Sequence, residues 1–502
     1  MMDDQEYENL LFRRQYFIGP KELGISGWNL THLPDGKILS AHPELEVTDW
    51  NGKHTRYVLI GYIFDPFHPE RTNQGILEAI DRCKTDTGSI FEMLEDKSGH
   101  YVLFVYDDEM NIALTDACGI KQTSYYCDEN GKSYYSSQPA LIAQKLNLPV
   151  SDEAIHYMDS AKYKKKLEPW WPVESSPYKR IRRLVPNHYL NLATNEQVRF
   201  WPNKKLKRYS LKEGTILAGE LLKGICKACF QRYPMALTFT GGYDSRVLLA
   251  ACKEFADQIE LFSMIYRNLT EQSEDLRIPQ AIAAEKQLKY HQIKCDAEIP
   301  AGFQDVYERS NQGYKTDWMS LVYGRYIHFP ANVLIVKGNI AEVARCSFWQ
   351  DGIYPVEVTV DTLVDATALG HEPLILQSMG KWLDEAKPTE KFGYKIMDIF
   401  AWEVEAGGWQ SMSHNVFALS QEEFSPFGNR RLLDIMLGVH KRYRCWPDIT
   451  LEQEIIKYLW RDLSQYSYFS SWNLHNYKKK FYDGDLLNFL RKIKLILKRS
   501  IK

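Results

Sequence analysis

The chain has 502 residues, 44% hydrophobic and 25% charged, with a net charge of −3 and a mean hydropathy of −0.41. That length exceeds a single hydrophobic core, so two main domains are expected, and the near-neutral balance excludes a global charge drive towards nucleic acid or anionic lipid. No apolar run reaches the ~18 residues of a bilayer span, the opening MMDDQEYENLLFRRQYF lacks a signal-peptide pattern, and nine scattered cysteines do not form a disulfide framework. A cytoplasmic, reducing compartment is the expectation.

In chain order, residues up to 205 read mainly as β. YVLIGYIFD (57–65), GHYVLFVYDD (99–108), IALTDA (112–117) and TSYYCDENGKSYYSS (123–137) are rich in β-branched and aromatic residues, with Glu129-Asn130-Gly131-Lys132 as a hairpin turn. NQGILEAIDRC is a helix between strands. WPNKKLKRYSLKEG (201–214) marks the boundary, its basic run a solvated connector. Beyond it the pattern alternates: an amphipathic helix TILAGELLKGICKACF, strand MALTF, helix SRVLLAACKEF, strand IELFSMIY, helix RIPQAIAAEKQL, and strands YHQIK and NVLIVKGN. Alternation of this kind predicts a parallel, doubly wound sheet, and residues 394–468 read as mostly helical. The last segment, YKKKFYDGDLLNFLRKIKLILKRSIK, puts apolar residues on one side of a basic helix (476–502). Such a helix suits an anionic membrane surface, a protein partner, or its own domain.

The chemistry concentrates at the end of the strand MALTF, where Thr240-Gly241-Gly242-Tyr243-Asp244-Ser245 leads into a helix. In α/β sheets the ligand crevice lies at the carboxyl ends of the strands. Two glycines allow a tight turn and close approach of the backbone, and the N–H groups of the helix start face an anion. Thr240 and Ser245 add hydroxyls. Asp244 would repel a bare phosphate, which implies Mg²⁺ between them. The G-x-x-x-x-G-K-[ST] spacing is absent, so this is not a Walker A loop.

These residues resemble the S-G-G-x-D-S pyrophosphate loop of N-type ATP pyrophosphatases, and further segments resemble the asparagine synthetase branch of that superfamily. Ser273-Glu274-Asp275-Leu276-Arg277 is similar to its S-P-D segment, LIVKGNIAEVAR (334–345) to its S-G-E-G-x-D-E loop, and EEFSPFGNRRLLDIML (422–437) to a segment of its helical part. The stretch 99–143 resembles the glutaminase domain of those synthetases. The resemblance implies an N-terminal Ntn-hydrolase-like αββα domain (1–205). It also implies a C-terminal doubly wound parallel-sheet ATP pyrophosphatase domain with a helical extension (206–475). The glutaminase nucleophile of the family is an N-terminal cysteine. Here the chain opens Met1-Met2-Asp3 and the first cysteine is Cys83, so the domain is expected to be an inactive scaffold, as in β-lactam synthetases and lasso-peptide cyclases.

The site residues implied are Thr238, Thr240, Gly241, Gly242, Ser245, Arg246, Ile265 and Gly338 for ATP, Asp244 and Glu342 for Mg²⁺, and Glu423 as a base for the attacking amine. Arg246 or Arg345 would aid the leaving pyrophosphate. Glu342 stands where the family has Asp, Asn339 and Ile340 replace Glu and Gly, and the family's lysine has no counterpart in QYSYFSSWN. Lys457, Lys478 or an arginine is left to substitute. The expected function is an ATP-dependent, AMP-forming amide ligase joining a small-molecule or glycan carboxylate to an amine, in cell-surface glycan or specialised-metabolite biosynthesis. No nucleic acid partner is expected, and the helix over 476–502 allows peripheral contact with the inner face of the membrane. A catalytically degenerate scaffold is the alternative, and tRNA modification would need a basic domain that is absent. Cys226 and Cys229 read as buried structural thiols, and His291, His328, His371 and His414 lack metal-ligand spacing. Trp318, Tyr323, Trp349 and Trp402 are candidates for shaping the substrate pocket.

Overall fold

The structure is a computed structural model that describes residues 7–445 and 449–468; the expected helix over 476–502 and Lys478 lie outside the described residues. The first twelve strands are β1 Tyr16–Gly19, β2 Asn29–His32, β3 Ile38–Ala41, β4 Val47–Asn51, β5 Thr55–Phe64, β6 Ser98–Asp107, β7 Ile112–Thr115, β8 Ser124–Cys127, β9 Ser133–Ser136, β10 Arg182–Arg183, β11 His188–Asn191 and β12 Glu196–Arg199. They form two antiparallel sheets of six strands, in the orders β10-β8-β9-β1-β3-β2 and β12-β11-β7-β6-β5-β4. The period of two decides how these sheets stack. Val58, Ile60, Val102 and Phe104 of the second sheet meet Tyr16, Ile18, Leu39 and Tyr135 of the first in one core. The alternate residues Tyr57, Leu59, Tyr101 and Leu103 bury helices α1 (Asn73–Cys83) and α2 (Thr87–Leu94). Phe17 and Tyr134 do the same for α3 (Pro139–Leu146) on the outer face of the first sheet. The layering is helix, sheet, sheet, helix.

From Ser210, whose side chain and that of Glu213 form a capping box on α4 (Leu211–Arg232), the chain alternates. β13 (Met235–Thr238), α5 (Tyr243–Ala251), β14 (Glu260–Ile265), α6 (Glu274–Lys286), β15 (Tyr290–Lys294), α7 (Met319–His328) and β16 (Leu334–Val336) follow in turn. After a helical region that ends in a π-helix, Ala401–Gln410, and α8 (Ser411–Phe417), comes β17 (Glu423–Phe424); α9 (Thr450–Trp460) packs against α4 and α5. The sheet runs β15-β14-β13-β16-β17, every pair parallel. Leu237, Leu261 and Val336 face the large core with α4 and α5, while Ala236, Phe262 and Ile335 face Ile293 and Phe329. Strands buried on both faces read as continuous apolar runs. The order turns outward in opposite directions from β13 and β16, so the crevice of this sheet opens between their carboxyl ends.

Two expectations are corrected. The segment 422–437, read as part of a helical extension, opens with the fifth strand of the sheet. Cys346 and Cys445 are joined by a disulfide with a Cα–Cα distance of 5.4 Å, against the expectation that cysteine spacing shows no such bond. The two lie 99 residues apart and only the fold brings them together. No helix among the described residues is long and apolar enough to cross a membrane.

The antiparallel half is fastened to the parallel sheet through the end of α8. Arg13 Nη1 donates to the carbonyls of Leu419 and Ser420, both at 3.0 Å. Arg14 donates to those of Ala418 (2.7 Å), Ser420 (3.1 Å) and Ala331 (2.7 Å) and pairs with Glu44 at 2.8 Å. These carbonyls lie past the last turn of a helix, where no intrahelical donor reaches them. Replacing Arg14 by Ala leaves the Ala418 carbonyl without its donor, while Arg13 still serves Leu419 and Ser420, and the expected loss is about 3 kcal/mol of unfolding free energy. Lys at this position keeps the charge without the planar fork and recovers part of it. Urea denaturation of the three proteins measures the series, and an Arg14→Ala midpoint equal to that of wild type contradicts it.

Candidate functional site

The turn after β13 behaves as its residues require. Gly242 is the N-cap of α5 and supplies no side-chain cap, so the first-turn N–H groups stay available. Thr240 N donates to Ser245 Oγ (3.1 Å), Ser245 Oγ donates to Thr240 O (3.2 Å), and Gly241 N donates to Asp275 Oδ1 (3.3 Å) on α6. Asp275 belongs to a motif visible in the sequence but was given no role there; here it braces the turn. Burial raises its carboxyl above the ordinary range. Gly338, just past β16, comes against α5 so closely that a Cβ on it would sit 2.6 Å from Asp244 Cβ and 3.1 Å from Ser245 N. Only glycine fits between the two strand ends.

A cleft of about 430 Å³ opens above these strand ends, a volume typical of small-molecule sites. Thr238, Thr240 and the Met264–Tyr266 region line one part of it; Ile265, the residue between these two, ends β14. Thr238 Oγ1 donates to Val336 O (3.1 Å), tying the two central strands together at the mouth. Arg246 is placed elsewhere than expected. Its guanidinium is buried, donates to the carbonyls of Tyr466 and Ser467 at 2.9 Å each, and lies 3.9 Å from the Tyr468 ring centroid. It fastens the chain after α9 to the turn instead of facing an anion.

Beside the turn, Arg345 gathers carboxylates from four elements. Its Nη2 is 2.9 Å from Asp244 Oδ2 and 3.6 Å from Glu342 Oε1, and its Nε is 3.7 Å from Glu452 Oε1 on α9. Glu405, on the π-helix, and Glu342 share the amide of Gln410 at 3.5 Å each. Burial, reinforced by Glu342 against the pull of Arg345, raises the Asp244 carboxyl to about 6. Burial and then Glu342 raise Glu405 to about 8, and burial lifts Glu452 well above the usual range. Arg345, although burial opposes its charge, is held protonated by Asp244, Glu452 and Glu342. Glu342 is reached through a strained loop: Ile340, where the related motif has glycine, sits at φ 77° with its side chain fully buried.

These residues fit a divalent cation. Asp244 Oδ1 and both Glu452 oxygens are buried and meet no N–H donor within hydrogen-bond distance among the described residues, the two carboxyls facing each other, and one guanidinium cannot neutralise four carboxylates. Among the described residues no three His, Cys, Asp or Glu side chains form a self-sufficient metal cage. A cation here would take its remaining ligands from phosphate or water, as Mg²⁺ does.

Glu423 occupies a different place from the one its motif suggested. It is fully buried on β17, paired with Arg325 of α7, 3.2 Å from Lys337 Nζ, and 3.2 Å from His414 Nδ1. Held among these groups it anchors cations and is not presented to a substrate amine. Of the proposed replacements for the family lysine, Lys457 is exposed and pairs with Glu454 at 2.6 Å. The lysine that the fold does bring to the cleft is Lys337, whose ammonium is disfavoured by burial and partly restored by Glu423. Read along the chain, it is one residue in a strand-to-loop junction. Of the residues considered for the substrate pocket, Trp318 lines the cleft with Trp409, whereas Trp402 packs on Trp201 and donates to Ala117 O.

No family model and no curated protein matches the chain. Among solved structures, glutamine phosphoribosylpyrophosphate amidotransferase from B. subtilis, complexed with ADP and GMP, is similar at 9% identity over 68% of this chain and 73% of that one, with a TM-score of 0.24. A structure described as the allosteric regulatory enzyme of purine biosynthesis is similar at 8% identity, over 66% and 70%, with the same TM-score of 0.24. Likenesses of this size assign no activity.

The carboxylate cluster makes stability depend on pH. A carboxyl raised in the folded state contributes stability that is complete below its unfolded value and lost as pH rises through the folded one. For Glu405 that window runs from its ordinary value, 4.5, up to about 8. In buffer without Mg²⁺ or nucleotide, Glu405→Gln should therefore gain stability relative to wild type as pH is raised from 5 to 9. A difference that stays constant across that range, followed by urea denaturation, contradicts the raised carboxyl.

Proposed function

We propose that the chain is an ATP-dependent amide ligase that activates a carboxylate as an acyl-adenylate and passes it to an amine. The observation that carries this reading is the Thr240–Ser245 turn at the switch point of the parallel sheet. Its uncapped helix start and two glycines lie against Gly338, with the carboxylates of Asp244 and Glu342 next to it. Backbone N–H groups of Gly242 to Ser245, with the Thr240 and Ser245 hydroxyls, hold the β- and γ-phosphates. The adenosine lies along Thr238, Ile265 and Gly338. Asp244 and Glu342 would hold Mg²⁺, which when bound neutralises charge on the phosphates as the α–β linkage opens. Arg345, already bridging Asp244 and Glu342, orients both carboxylates and places a cation beside the departing pyrophosphate.

In this reading the substrate carboxylate attacks the α-phosphorus and pyrophosphate leaves. The amine then attacks the acyl carbon, loses its proton, and AMP departs. Glu405, raised to about 8, suits the acceptance of that proton near neutrality better than Glu423, whose oxygens are engaged by cations. In this reading the antiparallel half serves as a support for the cleft, and the amine arrives free. A cell-surface glycan or specialised-metabolite route remains the setting we favour for such a reaction.

A second reading, a scaffold without turnover, is favoured by one feature: Arg345 occupies the oxygen of Asp244 that faces Glu342. The two are separated by measuring AMP and pyrophosphate release from ATP and Mg²⁺ with a panel of acids and amines. The ligase requires acid-dependent pyrophosphate release that falls at least about a hundredfold in Asp244→Ala. Release that is unaffected by Asp244→Ala, or ATP that fails to bind wild type by calorimetry, contradicts it.

A further inference from the structure

The part of the cleft away from Thr240 has its own chemistry. Lys337 and Arg325 both line it, and both are anchored from below by the single carboxylate of Glu423. Among the described residues no other carboxylate pairs with either cation. His414, beside them, is held neutral, because burial and then Lys337 and Arg325 oppose its protonation. Two cations over one anion leave about one positive charge in a low-dielectric cleft, which favours an anionic occupant. Arg325 adds a more specific sign. It is 2% exposed, its Nη1 serves Glu423, and its Nε and Nη2 find no hydrogen-bond partner among the described residues. Nε and Nη2 are the paired donors of a guanidinium edge, the geometry that meets a carboxylate with two parallel hydrogen bonds.

The walls above these cations are aromatic. Trp318 lies 6.1 Å from Trp409 and 5.8 Å from Phe417, ring centre to ring centre. The Phe417 ring is also 5.2 Å from Lys337 Nζ and 4.6 Å from the Arg325 guanidinium carbon. At the rim, Glu168 accepts from Trp318 Nε1 (2.8 Å) and Trp409 Nε1 (3.1 Å) and pairs with Arg267. The indoles are thereby fixed in orientation, and a carboxylate acceptor stands at the edge of the aromatic surface. Flat apolar walls with a few placed polar groups suit a ring-shaped body.

We propose that Lys337 and Arg325 form the seat for the carboxylate of the acid being activated, and that this acid carries its carboxylate on a ring packed against Trp318, Trp409 and Phe417. The inference rests on the adenylating reading for what happens to that carboxylate, but the seat itself is a binding site and is tested without turnover. Lys337 is a binding residue here, set at the end of β16 one position before Gly338. The acid and the phosphate turn are thus brought to adjacent strand ends.

The test uses the full chain and two probes, glucuronate and benzoate, with glucose as the uncharged control, titrated by saturation-transfer NMR in the absence of ATP. Lys337→Met leaves Glu423 paired with Arg325 and is the variant that should still fold; Lys337→Arg is its rescue. Expected is binding of at least one ring carboxylate and weaker or no binding of glucose. Lys337→Met should lower carboxylate affinity about tenfold or more, with recovery in Lys337→Arg and an ATP affinity by calorimetry within about twofold of wild type. The proposal is overturned if neither carboxylate binds wild type, if glucose binds as well as glucuronate, or if Lys337→Met leaves carboxylate binding intact. It is overturned equally if Lys337→Met weakens ATP as much as the acid, which would make the cation a phosphate ligand. Failure of the adenylating reading shows separately, as loss of ATP binding or of acid-dependent pyrophosphate release in a protein that still binds the acid.

Discussion

A buried carboxylate that keeps its charge needs cations beside it, and Glu423 places that demand at the seam of the molecule. β17 is two residues long, yet each of its groups is used. Its backbone pairs with β16, its side chain draws in Arg325 and Lys337, and its carbonyl accepts from Tyr62 of β5 at 2.5 Å. The next N–H, that of Ser425, goes to His100 of β6 at 3.3 Å. The central strands of the antiparallel half are thus bonded to the edge strand of the parallel sheet. The same carboxylate aims two cations into the cleft. The antiparallel half thereby becomes one wall of the support for the cleft.

The cluster beside the Thr240–Ser245 turn and the cationic part of the cleft are electrostatic opposites. Around Arg345, four carboxylates outnumber one guanidinium, and burial raises three of them. Around Glu423, two cations outnumber one carboxylate. A molecule bearing phosphates with a divalent cation fits the first surplus, and an organic anion fits the second. Gly338 follows Lys337 in the chain, and its lack of a side chain lets this strand end approach Asp244 and Ser245. The disulfide from Cys346 to Cys445 and the bond from Arg444 Nη1 to Ala344 O (2.6 Å) hold the Glu342–Arg345 segment to the chain that leads into α9. Glu452 is kept within reach of Arg345 by this arrangement.

Much of the architecture was legible in the sequence because periodicity reports which faces are buried. The long strands β5 and β6, the hairpin of β8 and β9, and the alternation from β13 to β16 all follow from it. The tight turn from Thr240 to Ser245 was legible too, since Gly241, Gly242 and Asp244 lie within four residues of one another and act locally. What periodicity could not show are contacts made across the fold. β17 is too short to carry a pattern. Arg325 lies on one helix and Lys337 after one strand, and only Glu423, assigned another role, unites them. Arg246 looked like a phosphate ligand from its position in the first turn. Which way it faces is decided by the carbonyls of Tyr466 and Ser467, more than 200 residues on. Asp275, Glu405 and the pairing of Cys346 with Cys445 were hidden for the same reason.

The central claim is that a carboxylate oxygen becomes bonded to the α-phosphorus of ATP at the Thr240–Ser245 turn. Supplying an acid labelled with ¹⁸O in its carboxylate, together with ATP, Mg²⁺ and an amine, and weighing the nucleotide product by mass spectrometry tests this directly. Adenylation predicts AMP carrying one ¹⁸O atom, and unlabelled pyrophosphate. Label appearing in inorganic phosphate with ADP as product, or AMP formed without label, would contradict the account.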